Sequence, residues 1–221
     1  MNNIILESDL LILRDNDNKE INIKKDLNTK IVLINEEDSN NKLIFNIDDN
    51  SNVIINIFDV CKNTNREITV NLNGKNSSVE LNVSSISLKE NSYEVNMFHN
   101  TKNTHSQTNL HGLTMDDNKI TFKNNGTIKK GSFKSILNQD NKIITLGKNN
   151  SKIEPNLFID EYDISASHGA YVGKFKDEDI FYLKTRGLNE SECNNLLIKG
   201  FLIGNFDEKE KLEKIINSYR R

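Results

Sequence analysis

Few side chains in this sequence can do chemistry, and they are scattered. The histidines are His99, His105, His111 and His168, and the cysteines are Cys61 and Cys193. His99, His105 and His111 recur every six residues, a spacing that puts all three on one face of an extended segment. Such a row could bind a metal ion. However, successive strands and turns intervene and no carboxylate or cysteine completes a set, so these three are read as structural or exposed. The cysteines lie far apart with no metal-type spacing. Cys61 follows the apolar run Ile57–Val60 and reads as a small buried residue, whereas Cys193 sits inside a predicted helix and is expected to be partly exposed. Asp15-Asn16-Asp17-Asn18 opens like a calcium loop. Glu20 stands where that loop needs glycine and Asp26 where it needs glutamate, so a turn is expected, as at Asp48-Asp49 and Asp116-Asp117. No nucleophile–base constellation, zinc motif or nucleotide-binding glycine loop is present, so any ATP hydrolysis would belong to a partner.

The most strongly patterned stretch is Asp163–Gly204, which holds His168 between Ser167 and Gly169. Its first half is a run of small residues leading into a β-prone segment. Its second half changes period. Asp177 can cap a helix carrying Ile180, Phe181 and Leu183, and Arg186-Gly187 can close it. Asn189, with Glu192 three residues on, opens a second helix as a capping box. Leu212, Ile215, Ile216 and Tyr219 then fall at i, i+3, i+4 and i+7 of a third, with Glu208–Glu210 near its start and Arg220-Arg221 at its end.

Those helices need a body to pack on, and the preceding chain supplies short alternating runs: Lys42–Asp48, Asn52–Phe58, Glu67–Leu72, Val79–Val83 and Lys142–Leu146. Turns are expected at Asp48-Asp49-Asn50, Asn73-Gly74, Asp116-Asp117-Asn118 and Asn124-Asn125-Gly126. No helix of ten or more residues is predicted before Asp177. A sandwich, a barrel and a solenoid all satisfy this pattern, and no fixed-length repeat decides between them.

Composition narrows the function classes. The 221 residues carry a formal net charge of −3, which gives no footprint for nucleic acid. Apolar residues are only 35% of the chain, with Asn filling much of the deficit, and no apolar run is long enough to span a membrane. The N-terminus lacks the basic start of a secretory signal, so reduced cysteines and a cytoplasmic location are expected.

Asp163, Ser167-His168-Gly169-Ala170, Val172-Gly173, Phe181-Tyr182-Leu183, Arg186-Gly187 and Gly200-Phe201 stand in an order and spacing that resemble the C-terminal signature of the SufB/SufD family of iron–sulfur cluster assembly proteins. Upstream, Val70-Asn71-Leu72, Gly74, His99-Asn100, Thr104, Ser106 and Gly112 are similar to the same family, so the likeness covers roughly residues 65–205. It implies a right-handed β-helix core over 1–175 and a C-terminal helical region over 176–221. Asn-rich corners suit such a coil, because stacked polar side chains can satisfy one another from rung to rung.

The departures place the chain nearer the SufD type. Ala166 replaces the cysteine of the SufD-type motif, Ile159 stands where SufB-type members carry a key cysteine, and Ser167 and Gly169 replace the glutamates that flank the SufB-type histidine. Lys102-Asn103-Thr104 stands where Pro-His-Thr is common, and the usual N-terminal helical region is missing. The resemblance implies a non-catalytic scaffold subunit pairing with a SufB-like chain and a SufC-type ABC ATPase. His168 would be a ligand to iron of a transient, not stably bound, cluster at the subunit interface, with a partner thiolate as the softer ligand. Phe181, Tyr182, Leu183, Arg186, Gly187 and Phe201 would form the ATPase-docking surface. Two alternatives are a shortened homodimeric paralogue acting as scaffold or regulator, and a β-helix protein that binds or cleaves polysaccharide. The missing signal peptide and the absence of tryptophan weigh against the last.

Overall fold

A computed structural model describes residues 2–13, 16–148 and 150–219. Asp15 of the calcium-like run, and the Arg220-Arg221 pair expected at the end of the last helix, lie outside the described residues. Twelve strands precede three helices: β1 (Asn2–Leu6), β2 (Leu10–Leu13), β3 (Lys19–Ile23), β4 (Asn28–Asn35), β5 (Ser39–Ile47), β6 (Asn52–Leu72), β7 (Ser78–His99), β8 (His105–Thr114), β9 (Lys119–Ile128), β10 (Ser135–Thr145), β11 (Lys152–Ile159), β12 (Ile164–Gly173), α1 (Asp177–Thr185), α2 (Glu190–Ile203) and α3 (Lys209–Ser218). Among the described residues, every pairing between strands is parallel.

The result is a parallel β-solenoid of about six turns. One stack runs β2-β4-β6-β7-β8-β10-β12 and the other β1-β3-β5-β6-β7-β9-β11, because the long β6 and β7 bend round a corner and serve both. The coil length explains why no repeat is visible in the sequence: stacked residues are 24 apart at Asn28–Asn52 but 31 apart at Thr104–Ser135. Register, not sequence period, defines the repeat.

Alternation along each strand sends apolar side chains inward. Ile31, Ile55 and Leu81 stack in one inward column, Leu33, Ile57, Val83 and Leu110 in a second, and Ile21, Phe45, Val70 and Met97 in a third. All are buried, each contributing about 1.5–3 kcal/mol relative to exposure.

Asparagine accounts for the outer surface. Asn22 donates to Asn3, Asn46 to Asn22 and Asn71 to Asn46 at 2.8–2.9 Å, and Asn125 and Asn156 continue the same arrangement on Asn96 and Asn125. At one corner Asp26, Asn50, Asn76 and Asn103 occupy successive coils with φ between 56° and 60°, each joined side chain to side chain at 2.8–3.1 Å. Asparagine tolerates that left-handed geometry and offers both a donor and an acceptor to the coils on either side.

Where β6 and β7 turn their other corner, the interior is ionic. Arg66 Nη2 bonds Asp59 Oδ1 at 2.9 Å with both side chains wholly buried, and the Tyr93 hydroxyl and Asn35 amide also donate to Asp59. Cys61 lies in the same corner, and burial together with the Asp59 charge pushes its thiol up to about 12. It is an inert buried residue.

Several expectations change. Asn124-Asn125-Gly126 is no turn, since β9 runs straight through it, held by pairing to β7 and β11. Lys176, not Asp177, is the N-cap of α1. The Asn189–Glu192 capping box forms as expected, with Glu192 N donating to Asn189 Oδ1 at 3.0 Å. Cys193 is fully buried, wedged between α1 and α2 with its thiol 3.9 Å from the Ile180 carbonyl oxygen. Helices α2 and α3 fold back along the flank of the coil, where Ile198, Leu202, Phe206, Leu212 and Ile216 cover Phe58, Val60, Ile86 and Leu113 in a second core. Phe206 meets Phe58 edge to face at 6.1 Å, and Lys30 holds both Asp207 and Glu208 at 2.8 Å.

Candidate functional site

The coil stops at β11 and β12, and neither is covered. Among the described residues β12 pairs only with β10, and β11 only with β9, so each leaves one edge of main-chain donors and acceptors open. Around that rim Phe158, Ile159, Tyr162 and Tyr171 are exposed. An open edge of this kind is a template for strand pairing with another chain.

His168 sits on this last rung, and its chain direction follows from the register. Gln139 is its partner on β10 and Thr108 is Gln139's partner on β8, a column that continues inward as Leu81, Ile55 and Ile31. His168 therefore occupies an inward-facing position that is exposed because no further coil covers it. Among the described residues its ring has no hydrogen-bond partner.

The interior changes character beneath it. Thr108, Gln139 and His168 take over the Ile31–Ile55–Leu81 column, Asn141 follows Leu110, and Asn124 follows Ile68 and Val95. Asn124 donates to Asn141 Oδ1 at 2.8 Å, Asn141 to the Gly169 carbonyl oxygen at 2.9 Å, and Gln139 to the Asn124 carbonyl oxygen at 3.3 Å. Asn124 Oδ1 and Gln139 Oε1 are buried without a partner. The sequence marked Asn124 only as a turn residue and did not single out Gln139 or Asn141. The usable signal was in β10, where the inward phase of Leu137-Asn138-Gln139-Asp140-Asn141-Lys142-Ile143 turns polar at Gln139 and Asn141. It can be read only once the phase is known.

The expected docking residues divide into two groups. Phe181 and Tyr182 project from α1 at 70% and 57% exposure, although α1 itself buries no residue. The Arg186 guanidinium lies 5.2 Å from the centre of the Tyr182 ring and donates to its hydroxyl at 3.2 Å. Gly187 adopts φ +94°, which lets the chain reverse after α1, and Leu183 is half-buried behind the exposed pair. Phe201 is different. Its ring stacks on His111 at 4.6 Å, and His111 Nδ1 donates to its carbonyl oxygen at 2.8 Å, so it fastens α2 to the coil.

The remaining titratable candidates do not gather. His99 is buried on the hydroxyls of Thr104 and Ser106, His105 is exposed on the outer face of β8, and His111 lies under Phe201. Among the described residues no three His, Cys, Asp or Glu side chains converge as a metal site. The donor chemistry at the open end is thus one imidazole with no thiolate of its own, since Cys61 and Cys193 are buried elsewhere. Imidazole suits iron, and such a set of donors could give one ligand and no more. No described helix is long and apolar enough to cross a membrane.

Comparison with known proteins reaches the same region and beyond it. A family model described as "SUF system FeS cluster assembly, SufBD core domain" matches residues 15–201, well upstream of the residue-65 limit that the motifs suggested. The chain is 34% identical over 93 residues to the iron–sulfur cluster assembly protein SufD of Bacillus subtilis, covering 42% of this chain and 21% of that one. It is 28% identical over 133 residues to SufD of Escherichia coli, covering 59% and 31% respectively. A SufBD family protein of Mycobacterium leprae is 39% identical over 62 residues, 28% of this chain and 16% of its own. The matched stretches are thus a third or less of those relatives. With the solenoid and the family match in agreement, the chain belongs to the SufB/SufD family and is SufD-like.

Proposed function

We propose that this chain is a non-catalytic scaffold subunit of an iron–sulfur cluster assembly complex. It pairs with a SufB-like chain through the open edges of β11 and β12, and a SufC-type ATPase docks on α1. The observation that carries this reading is the uncovered last rung, which combines unpaired strand edges, exposed aromatic residues and an unpartnered imidazole. The cluster is cargo, built transiently at the junction, with His168 giving one nitrogen and the partner the softer thiolates. Motion of an ATPase against Phe181 and Tyr182 passes through α2 to the coil by way of the Phe201–His111 stack. β8, which carries His111, lies two strands from β12.

Co-purification with the SufB-like and SufC-type proteins of the same organism tests this, with stoichiometry from size-exclusion chromatography and light scattering. Removing residues 177–221 would strip the flank core as well, so the sharper variant is Phe181→Asp with Tyr182→Asp. Its expected effect is loss of the ATPase with the SufB-like chain retained. His168→Ala should keep both partners and lower the cluster yield. A homodimer that ignores both proteins would overturn the heteromeric reading, because the same open edge can pair with a second copy.

A further inference from the structure

We infer that Gln139 is the positioning residue for His168: its side-chain carbonyl accepts the ring N–H and leaves the other ring nitrogen free to bind. Two groups without partners lie on adjacent rungs here. Gln139 Oε1 is buried and unbonded, and the His168 ring is unbonded, while the residues are direct register partners on β10 and β12 with both side chains in one inward column. On the outer face of this coil, polar register partners bond from rung to rung, as Asn52 does to Asn28 at 2.8 Å and Asn82 to Asn56 at 3.0 Å. The proposed bond requires the His168 ring to turn onto Gln139 Oε1 in the same way.

The surroundings of Gln139 are built to hold it. Its Nε2 is anchored on the Asn124 carbonyl oxygen, which turns Oε1 away from that strand. Gly126 makes the space, since a Cβ there would lie 3.0 Å from Gln139 Nε2 and 2.6 Å from a Leu137 methyl. A buried carbonyl with no donor is destabilising, and an apolar residue would finish the column without that cost. A neutral imidazole has one donor and one acceptor nitrogen, and bonding the donor fixes which nitrogen is left for a ligand. The purpose of the bond rests on His168 being a ligand, but its existence does not, and it can be measured without any partner.

The experiment uses the full chain labelled with ¹⁵N, alone and at a pH where the ring is neutral. Long-range proton–nitrogen correlation gives the His168 tautomer, and the exchange rate of the ring N–H is measured beside it. One dominant tautomer is expected, with a ring N–H protected at least about tenfold relative to Gln139→Met, which removes the acceptor and keeps the length. Gln139→Glu keeps an acceptor and should restore both signatures, which a purely structural role for Gln139 would not predict. The proposal is overturned if the ring N–H of wild type exchanges as fast as that of Gln139→Met, or if Gln139→Glu behaves like Gln139→Met while still folded. Should Gln139→Met fail to fold, wild type and Gln139→Glu are compared with the exposed His105 ring as the unprotected reference.

Discussion

The middle of the coil and its last rung share one backbone geometry and are filled in opposite ways. In the middle, each strand has a neighbour on both edges, the inward columns are Ile, Leu, Val and Phe, and α2 and α3 seal the flank. At the end, the same columns finish in Thr108, Gln139, Asn141 and His168, with one edge of β11 and of β12 left open. The middle is closed on both edges and the end is open. A coil that ended in Leu or Ile would bury less polar surface but would present neither an imidazole nor a directed hydrogen bond at its rim.

Substitutions can break that contrast, beginning with the ion pair in the closed part. Asp59→Ala strands the buried Arg66 charge and removes one of the two partners of the Tyr93 hydroxyl, and should destabilise by about 3–5 kcal/mol in urea unfolding. Replacing the pair together, as Asp59→Leu with Arg66→Met, should recover most of that loss. Full loss in the double variant would show that the corner needs the charges themselves.

His99 gives the closed region an acid sensitivity. Burial, with the nearby His105 adding to it, pushes its ring down from 6.5 to about 4. Between those values the unfolded chain takes up a proton that the folded chain refuses, so stability is full above about pH 6.5, falls as the pH drops, and loses this contribution by about pH 4. The whole effect is about 3 kcal/mol. Thermal midpoints measured across this range should fall less steeply in His99→Gln, and equal slopes would remove His99 as the cause.

A smaller effect is expected at the asparagine corner. Asn76→Ala loses its ladder bonds to Asn50 and Asn103 and places alanine at φ 58°, which should cost about 1–2 kcal/mol. Asn76→Gly should relieve the strain and keep part of the stability. The smallest effect belongs to the open end, where Gln139→Leu removes the bond to the Asn124 carbonyl oxygen and the acceptor beneath His168 and should change stability by no more than about 1 kcal/mol. A loss as large as that at Asp59 would mean that the end rung is as rigidly built as the middle.

Local signals decided more here than the weak repeat suggested. The Asn189–Glu192 capping box, the Gly187 stop of α1 and the i, i+3, i+4 pattern of α3 were all readable, because each depends on residues within one or two turns of chain. The strands at Lys42–Asp48 and Val79–Val83 were readable for the same reason. The supposed turn at Asn124-Asn125-Gly126 was not, since its residue types favour a turn and only pairing with β7 and β11 overrides them. Burial of Cys193 depends on how α2 packs against α1, and the stacking of Phe201 on His111 on where α2 lies against the coil, 90 residues from His111.

By itself, the sequence determined that the body is made of short strands with asparagine corners, that three helices follow, and that His168 lies in a SufB/SufD-like signature. The strand pattern alone left solenoid, sandwich and barrel open; the family resemblance implied the β-helix, and the structure shows a parallel β-solenoid. Only the tertiary structure placed the helices on the flank and left His168 uncovered above Gln139. The physical reason is register. A period of two says which residues share a face, but inward and outward are assigned only when one coil is laid on the next, and coils of unequal length hide that alignment from the sequence.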